Sequence, residues 1–226
     1  MGGARVSSTP GSGWVDCSST TIGGRRDVGP LFGHNAFVRS HATVIAAADF
    51  FTTEVWTTSG LVRHFTLFVI DVATRHVCIA GTTTNPTSAW MEQIARNLTD
   101  CDAGFLLGKR FLIIDRDSIF SPRFKAVLEG FGIEILLTAY QAPNMNAHAE
   151  RFVLSIKSEC LDRMIFLGRE SLDRAIAEYA EHYHEERSHQ GLGNELISGA
   201  EPQWEGAVGT TERLGGLLKY YHRRAA

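Results

Sequence analysis

The chain has 226 residues, 44% hydrophobic and 21% charged, which suffices for one well-packed domain with appendages and excludes two large ones. A formal charge of −3 lacks the basic footprint of a general nucleic-acid binder, so any such role must rest on local patches. The four cysteines, Cys17, Cys78, Cys101 and Cys160, are scattered and form no CxxC pair, which argues against a disulfide framework or structural zinc and fits a reducing cytosol. No secretory pattern opens the chain, and no apolar run approaches the roughly 18 residues of a membrane span.

Residues 1–41 are rich in Gly, Ser and Thr with little periodicity and read as a flexible or truncated N-terminal segment. From Thr43 the texture changes. TVIAAADFF, LVRHFTLFVID and RHVCIAG predict three sequential antiparallel strands, the last two separated by the turn-like VAT of residues 72–74. Asn85-Pro86 predicts the cap and first position of a helix bearing Trp90, Met91, Ile94 and Leu98 at helical spacing. FLIID predicts a short buried strand. Ser121-Pro122 opens a second helix with Phe124, Val127, Leu128 and Phe131 on one face, and IEILL at 133–137 is the next strand.

Beyond the loop TAYQAPNMN, a long helix from about Asn146 gathers Ala149, Phe152, Val153, Ile156, Cys160 and Met164 on one face. Glu150 stands at the border of that face, and Lys157 lies along the axis from it. A last helix carries Leu172, Ala175, Ile176, Tyr179 and Tyr183 in register. The order predicts an α/β fold: a five-stranded mixed sheet, a three-strand antiparallel meander plus two parallel strands, with helices on both faces.

Three carboxylates interrupt apolar surroundings: Asp49 in the first strand, Asp115 at the end of FLII, and Glu150 on the long helix. Functional groups in open α/β sheets gather beyond the carboxyl ends of strands, where Asp115 is the first polar residue; Asp117 follows in the turn. Converging carboxylates repel unless a cation neutralises them, and hard oxygens suit Mg²⁺ or Mn²⁺. Two such ions roughly 4 Å apart activate a nucleophile and stabilise a leaving oxygen, which points to phosphodiester chemistry.

ADFF at 48–51, DRDSIF at 115–120 and NAHAERFVLSIKSECLDR at 146–163 resemble the integrase catalytic core of DDE transposases and retroviral-type integrases. The interval from Asp115 to Glu150 is that family's short, near-constant spacing. YHEERSHQGLGN at 183–194 is similar to the Tyr-Asn, Arg-Pro-His, Leu-Gly pattern of bacterial insertion-sequence transposases, so the resemblance covers residues 43–195.

The resemblance implies a ribonuclease H-like fold, a catalytic core at 42–195 and a C-terminal extension at 196–226. It implies Asp49, Asp115 and Glu150 as catalytic residues and metal ligands for Mg²⁺ or Mn²⁺, two ions in all. The implied activity is DNA strand cleavage and strand transfer in a bacterial cytoplasm, with mobile-element ends and target DNA as partners and a homo-oligomer as the working form. Asp117 stands where the family often has glycine, and residues 1–41 offer no helix pair like the DNA-binding domain that many relatives carry upstream. Candidate DNA contacts are Arg151 and Lys157 beside Glu150, with Lys219, Arg223 and Arg224 in a C-terminal basic cluster that also holds Tyr220 and Tyr221.

Blander roles account for other residues. Asp71 reads as a hairpin-turn former, His148 as a surface histidine at a helix start, and His182, His184 and His189 as an exposed helix end rather than a zinc site. No GxSxG elbow signals nucleophilic hydrolysis. Two alternatives to the active transposase stand: a remnant that folds, oligomerises or binds DNA without catalysis, and a nucleotide-sugar transferase using Asp115-Arg116-Asp117 as a metal clamp.

Overall fold

The structure is a computed structural model that describes residues 32–138, 146–199 and 205–223. Strands β1 (Ile45–Thr57) and β2 (Gly60–Asp71) form a long antiparallel hairpin, and β3 (Val77–Thr83) completes the meander. Asp71 shapes the β2–β3 turn as its position predicts: its Oδ1 accepts the N–H groups of Ala73 and Thr74, and its Oδ2 pairs with Lys109 Nζ at 2.6 Å. Strands β4 (Phe111–Ile114) and β5 (Glu134–Leu137) add in parallel, giving the order β3-β2-β1-β4-β5.

The parallel strands are joined by helices. Helix α2 (Ser88–Leu98) precedes β4, and α3 (Pro122–Gly130) links β4 to β5. The start of α3 is as predicted, with the Ser121 hydroxyl accepting from Phe124 N and Pro122 in the first turn. The start of α2 is a correction: the cap is Thr87, whose Oγ1 accepts from Trp90 N at 3.2 Å, while Asn85 and Pro86 lie in the preceding loop. The hydroxyl three residues ahead of Trp90 meets an orphan helical N–H that Asn85 is too far upstream to reach.

Strand alternation divides the core in two. Ile45, Ala47, Phe51 and Val55 of β1 join Phe68, Ile70, Phe111 and Ile113 beneath α4 (Ala147–Glu159) and α5 (Arg169–Glu185). Ala46 and Ala48 join Leu67, Val69, Leu112 and Ile114 against α2 and α3. Helix α4 buries Ala149, Phe152 and Ile156, with the Phe152 ring tilted against Phe68 at 4.7 Å and edge-on to Tyr183 at 5.0 Å. The helix ends at Glu159, so Met164 does not extend its apolar face. All five apolar positions predicted for α5 are buried.

Helices α4 and α5 are joined by a polar buckle. Arg187 Nη2 donates to Glu159 Oε1 at 2.9 Å and to Ser155 Oγ at 3.3 Å, and the Tyr179 hydroxyl donates to Glu159 Oε2 at 3.1 Å. Glu159 thus serves an arginine after α5 and a buried phenol within it. The three histidines expected at an exposed helix end are instead engaged. His182 is 8% exposed and pairs with Glu186, His184 Nε2 accepts from Val77 N at 2.9 Å, and His189 Nε2 bonds the Tyr183 carbonyl at 2.8 Å. Each faces a different partner, so they do not form a shared ligand set.

Two further elements lie where the sequence showed no pattern. Helix α1 (Phe32–Ser40) sets Phe37 edge-on against Phe111, with ring centroids 5.3 Å apart. The C-terminal segment folds as a hairpin of β6 (Val208–Arg213) and β7 (Leu218–Arg223), turned through Gly215 and Gly216 at positive φ. Arg213 anchors it to α5 by ion pairs with Glu181 and Glu186, and Leu218 enters the core beneath α4 and α5. Among the described residues no helix is long and apolar enough to cross a membrane.

Replacing Glu159 by Ala strands a guanidinium and a buried phenol, and should cost about 1–3 kcal/mol in denaturant unfolding. Lys219→Ala, which breaks an exposed pair with Glu212, should stay within about 0.5 kcal/mol. Equal effects from the two variants would remove the buckle from the account.

Candidate functional site

Strands β1 and β4 run in parallel with Ile45, Ala46 and Ala47 beside Phe111, Leu112 and Ile113. Continuing that register by two residues sets Asp49 beside Asp115, just past the end of β4. Strand alternation puts Asp49 on the same side as Ala47 and Phe51, the side that α4 covers. Glu150 is in the first turn of α4, one residue after the buried Ala149.

The electrostatics of Asp49 register this convergence. Its half-buried carboxyl is pushed up to about 6, chiefly by burial. The Phe50 N–H, donating to Oδ1 at 2.7 Å, opposes the rise, while repulsion from Asp115, Glu150 and Asp117 adds to it. All four carboxylates therefore act on one place. The ligand oxygens of Asp49, Asp115 and Glu150 do not all come within 4.8 Å of one another. Among the described residues the group that does is the exposed run Asp100, Cys101 and Asp102, where Asp100 Oδ1 caps the turn by accepting from Asp102 N and Ala103 N.

Asp115 and Asp117 divide the turn after β4. Asp115 Oδ1 accepts from Asp117 N at 3.0 Å, and Asp117 Oδ1 accepts from Ile119 N at 2.9 Å. Arg116 Nε donates to the Thr138 carbonyl at the end of β5, at 3.0 Å. Asp117 is exposed and turns its carboxylate back on its own loop, which suits a turn former better than the second arm of a metal clamp.

The remaining predicted residues are spread over two regions. Arg151 is exposed and lines a cavity with His148, Arg75 and Arg187. His148 is half-buried rather than a surface residue, and burial, then Arg75 and Arg151, push its imidazole down to about 4. Lys157 is partly exposed on α4, about 10 Å along the axis from Glu150, and has no ion pair among the described residues. Lys219 and Arg223 share the exposed face of β7, but Lys219 pairs with Glu212 at 3.0 Å and Arg223 Nη1 donates to the Gly206 carbonyl at 2.9 Å. Arg224 lies outside the described residues. Arg75 was missed in the sequence, because nothing in the turn VATRH marks its distance from α4.

A divalent ion suits the donor set. Asp49, Asp115 and Glu150 offer only hard carboxylate oxygens, and the Asp49 carboxyl, raised chiefly by burial and further by repulsion from its neighbours, is one whose charge a dication would offset.

Residues 131–195 match the integrase core domain family; the match includes Glu150 and the α4–α5 buckle but not Asp49 or Asp115. No curated protein matches the chain. Among solved structures, the HTLV-2 integrase catalytic core domain, described in complex with magnesium in a trimeric form, is 14% identical with a TM-score of 0.50. The alignment covers 69% of this chain and 94% of that one. A dimeric form of the same domain aligns with 16% identity, the same TM-score and the same coverage. The simian T-cell lymphotropic virus intasome, described in complex with the PP2A regulatory subunit B56 gamma, aligns with 12% identity and a TM-score of 0.51, over 80% of this chain and 67% of that one.

The raised carboxyl makes a stability prediction. Folding favours protonated Asp49, so this carboxylate costs nothing below its unfolded value of 3.8, and the cost grows as the pH rises through about 6. In chelator at pH 7.5, Asp49→Asn should stabilise the fold by about 1–3 kcal/mol, and the gain should vanish near pH 4. Destabilisation at pH 7.5 would contradict the convergence of charge. The sheet order and the helices on its two faces are the ribonuclease H-like fold of the HTLV-2 integrase catalytic core domain, and residues 131–195 match the integrase core domain family.

Proposed function

We propose that the chain is a DNA transposase or integrase core that cuts and joins DNA strands with divalent metal held by Asp49, Asp115 and Glu150. The observation that carries this reading is the placement of two carboxylates side by side on neighbouring parallel strands, Asp49 within β1 and Asp115 just past the end of β4, under the helix that brings the third. Mg²⁺ or Mn²⁺, as a pair, would supply Lewis acidity and charge neutralisation at a phosphodiester.

The residues have separable parts. Asp49 is fixed by the Phe50 N–H and Asp115 by the turn it caps, so two ligands are oriented by backbone before any metal binds. Glu150 comes from a helix secured at its far end by the Glu159–Arg187 buckle. Cutting hydrolyses a phosphodiester at an element end. In joining, the freed 3′-hydroxyl attacks target DNA in line and displaces a strand, with no covalent intermediate on the protein. The HTLV-2 core's magnesium complex and its dimeric and trimeric forms support extending metal use and homo-oligomerisation to this chain.

One observation favours a second reading, a folded core that binds DNA without catalysis: the three carboxylates' ligand oxygens do not all lie within 4.8 Å. Repulsion before metal binding accounts for the same spacing. The two readings separate in a Mn²⁺-dependent nicking assay on supercoiled plasmid. Under the catalytic reading, Asp115→Asn and Glu150→Gln fall to background, while Asp117→Asn stays within about tenfold, or about 1.4 kcal/mol in barrier height. Wild-type protein that binds DNA but never nicks it, under Mg²⁺ or Mn²⁺, would establish the second.

A further inference from the structure

On the other flank of the first turn of α4 lies a cavity of about 390 Å³. Its walls come from three distant parts of the chain: Arg75 in the β2–β3 turn, His148 and Arg151 on α4, and Arg187, Ser188 and Gln190 in the loop after α5. At 100° per residue, His148 and Arg151 fall about 60° apart on the helix, with Glu150 turned away from both. One helical turn thus presents a carboxylate toward Asp49 and cationic and neutral donors to the cavity.

Charge is concentrated here against the trend of the chain. Among the described residues no carboxylate lines the cavity, although the whole protein carries a formal charge of −3. Of the three guanidinium groups only Arg187 is matched by an acid, Glu159. Asp71, the acid nearest in sequence to Arg75, is bound to Lys109, and neither Arg75 nor Arg151 forms an ion pair with a described residue. The Arg75 guanidinium is held at the cavity by Nη1, which donates to the Val72 carbonyl.

The backbone gives an independent sign. Arg75 sits at φ +67°, a left-handed conformation that suits glycine or asparagine and costs a long side chain. A turn of this kind needs no arginine to form.

We propose that this cavity binds a phosphate group, with Arg75 and Arg151 supplying the charge and Ser188, Gln190 and His148 offering hydrogen bonds. Guanidinium forks match tetrahedral oxyanions in geometry as well as charge. The phosphate belongs to a DNA backbone or to a free phosphorylated molecule. The first source rests on the DNA-processing reading above and would have the cavity hold the strand beside the cutting centre, since Arg151 directly follows Glu150.

Titration of the full chain in chelator, first with inorganic phosphate and then with a short duplex, tests this without any metal-dependent step. Arg75→Gly relieves the left-handed strain, and Arg151→Ala keeps a strong helix former, so both variants should fold. Each should weaken phosphate binding by roughly tenfold or more, and each should lower the salt slope of duplex binding by about 1 if the strand is the source. Competition between phosphate and duplex identifies DNA as the source; phosphate binding without competition identifies a free phosphorylated ligand, and the site stands in either case. Wild-type protein that fails to bind phosphate, or variants that bind it as well as wild type does, would overturn the proposal. A wild type that binds phosphate yet never nicks DNA would overturn only the catalytic reading.

Discussion

Two neighbouring strands of the sheet run side by side in the same direction, and their register sets Asp49, within β1, level with Asp115, just past the end of β4. Two carboxylates, Asp49 and Asp115, stand at that level on the side that α4 covers, and α4 adds Glu150. The fold holds like charges together and partly buries one of them, which raises the Asp49 carboxyl and leaves the free energy of that corner dependent on a counter-charge. Much of the surrounding architecture keeps this arrangement from relaxing. The Phe50 N–H fixes Asp49, the Asp115–Asp117 turn fixes the end of β4, and the Glu159–Arg187–Tyr179 buckle holds α4 to α5.

The motif Tyr183, Arg187, His189 gains a physical meaning in this setting. Tyr183 packs on Phe152, Arg187 ties back to Glu159 on α4, and His189 closes onto the Tyr183 carbonyl. These residues secure the helix that carries Glu150 from its far end, and Arg187 also reaches the basic cavity on the helix's other flank. The first turn of α4 therefore lies between an acidic corner and a basic one.

Much of the fold was legible because local signals agreed with the tertiary outcome. The β-rich runs TVIAAADFF and LVRHFTLFVID, the Ser121-Pro122 start and the apolar stripes of α4 and α5 each match an element whose apolar residues are in fact buried. Other features were hidden for physical reasons. Helix α1 and the β6–β7 hairpin are held by a few tertiary contacts, Phe37 against Phe111, and Arg213 against Glu181 and Glu186 with Leu218 in the core, which no periodicity announces. The histidines near the end of α5 looked solvated because their partners, Val77 among them, are remote in sequence. The carboxylates were visible as interruptions of apolar runs. The basic cavity was not, because Arg75, Arg151 and Arg187 come from three separate segments that only the chain topology assembles.

The most direct measurement of the central claim is anomalous diffraction from crystals of the protein soaked in Mn²⁺. Convergent carboxylates predict peaks between Asp49, Asp115 and Glu150, with oxygen ligands at about 2.1–2.2 Å as for a hard octahedral dication. Absence of manganese there, or manganese confined to the exposed Asp100 and Asp102, would contradict it.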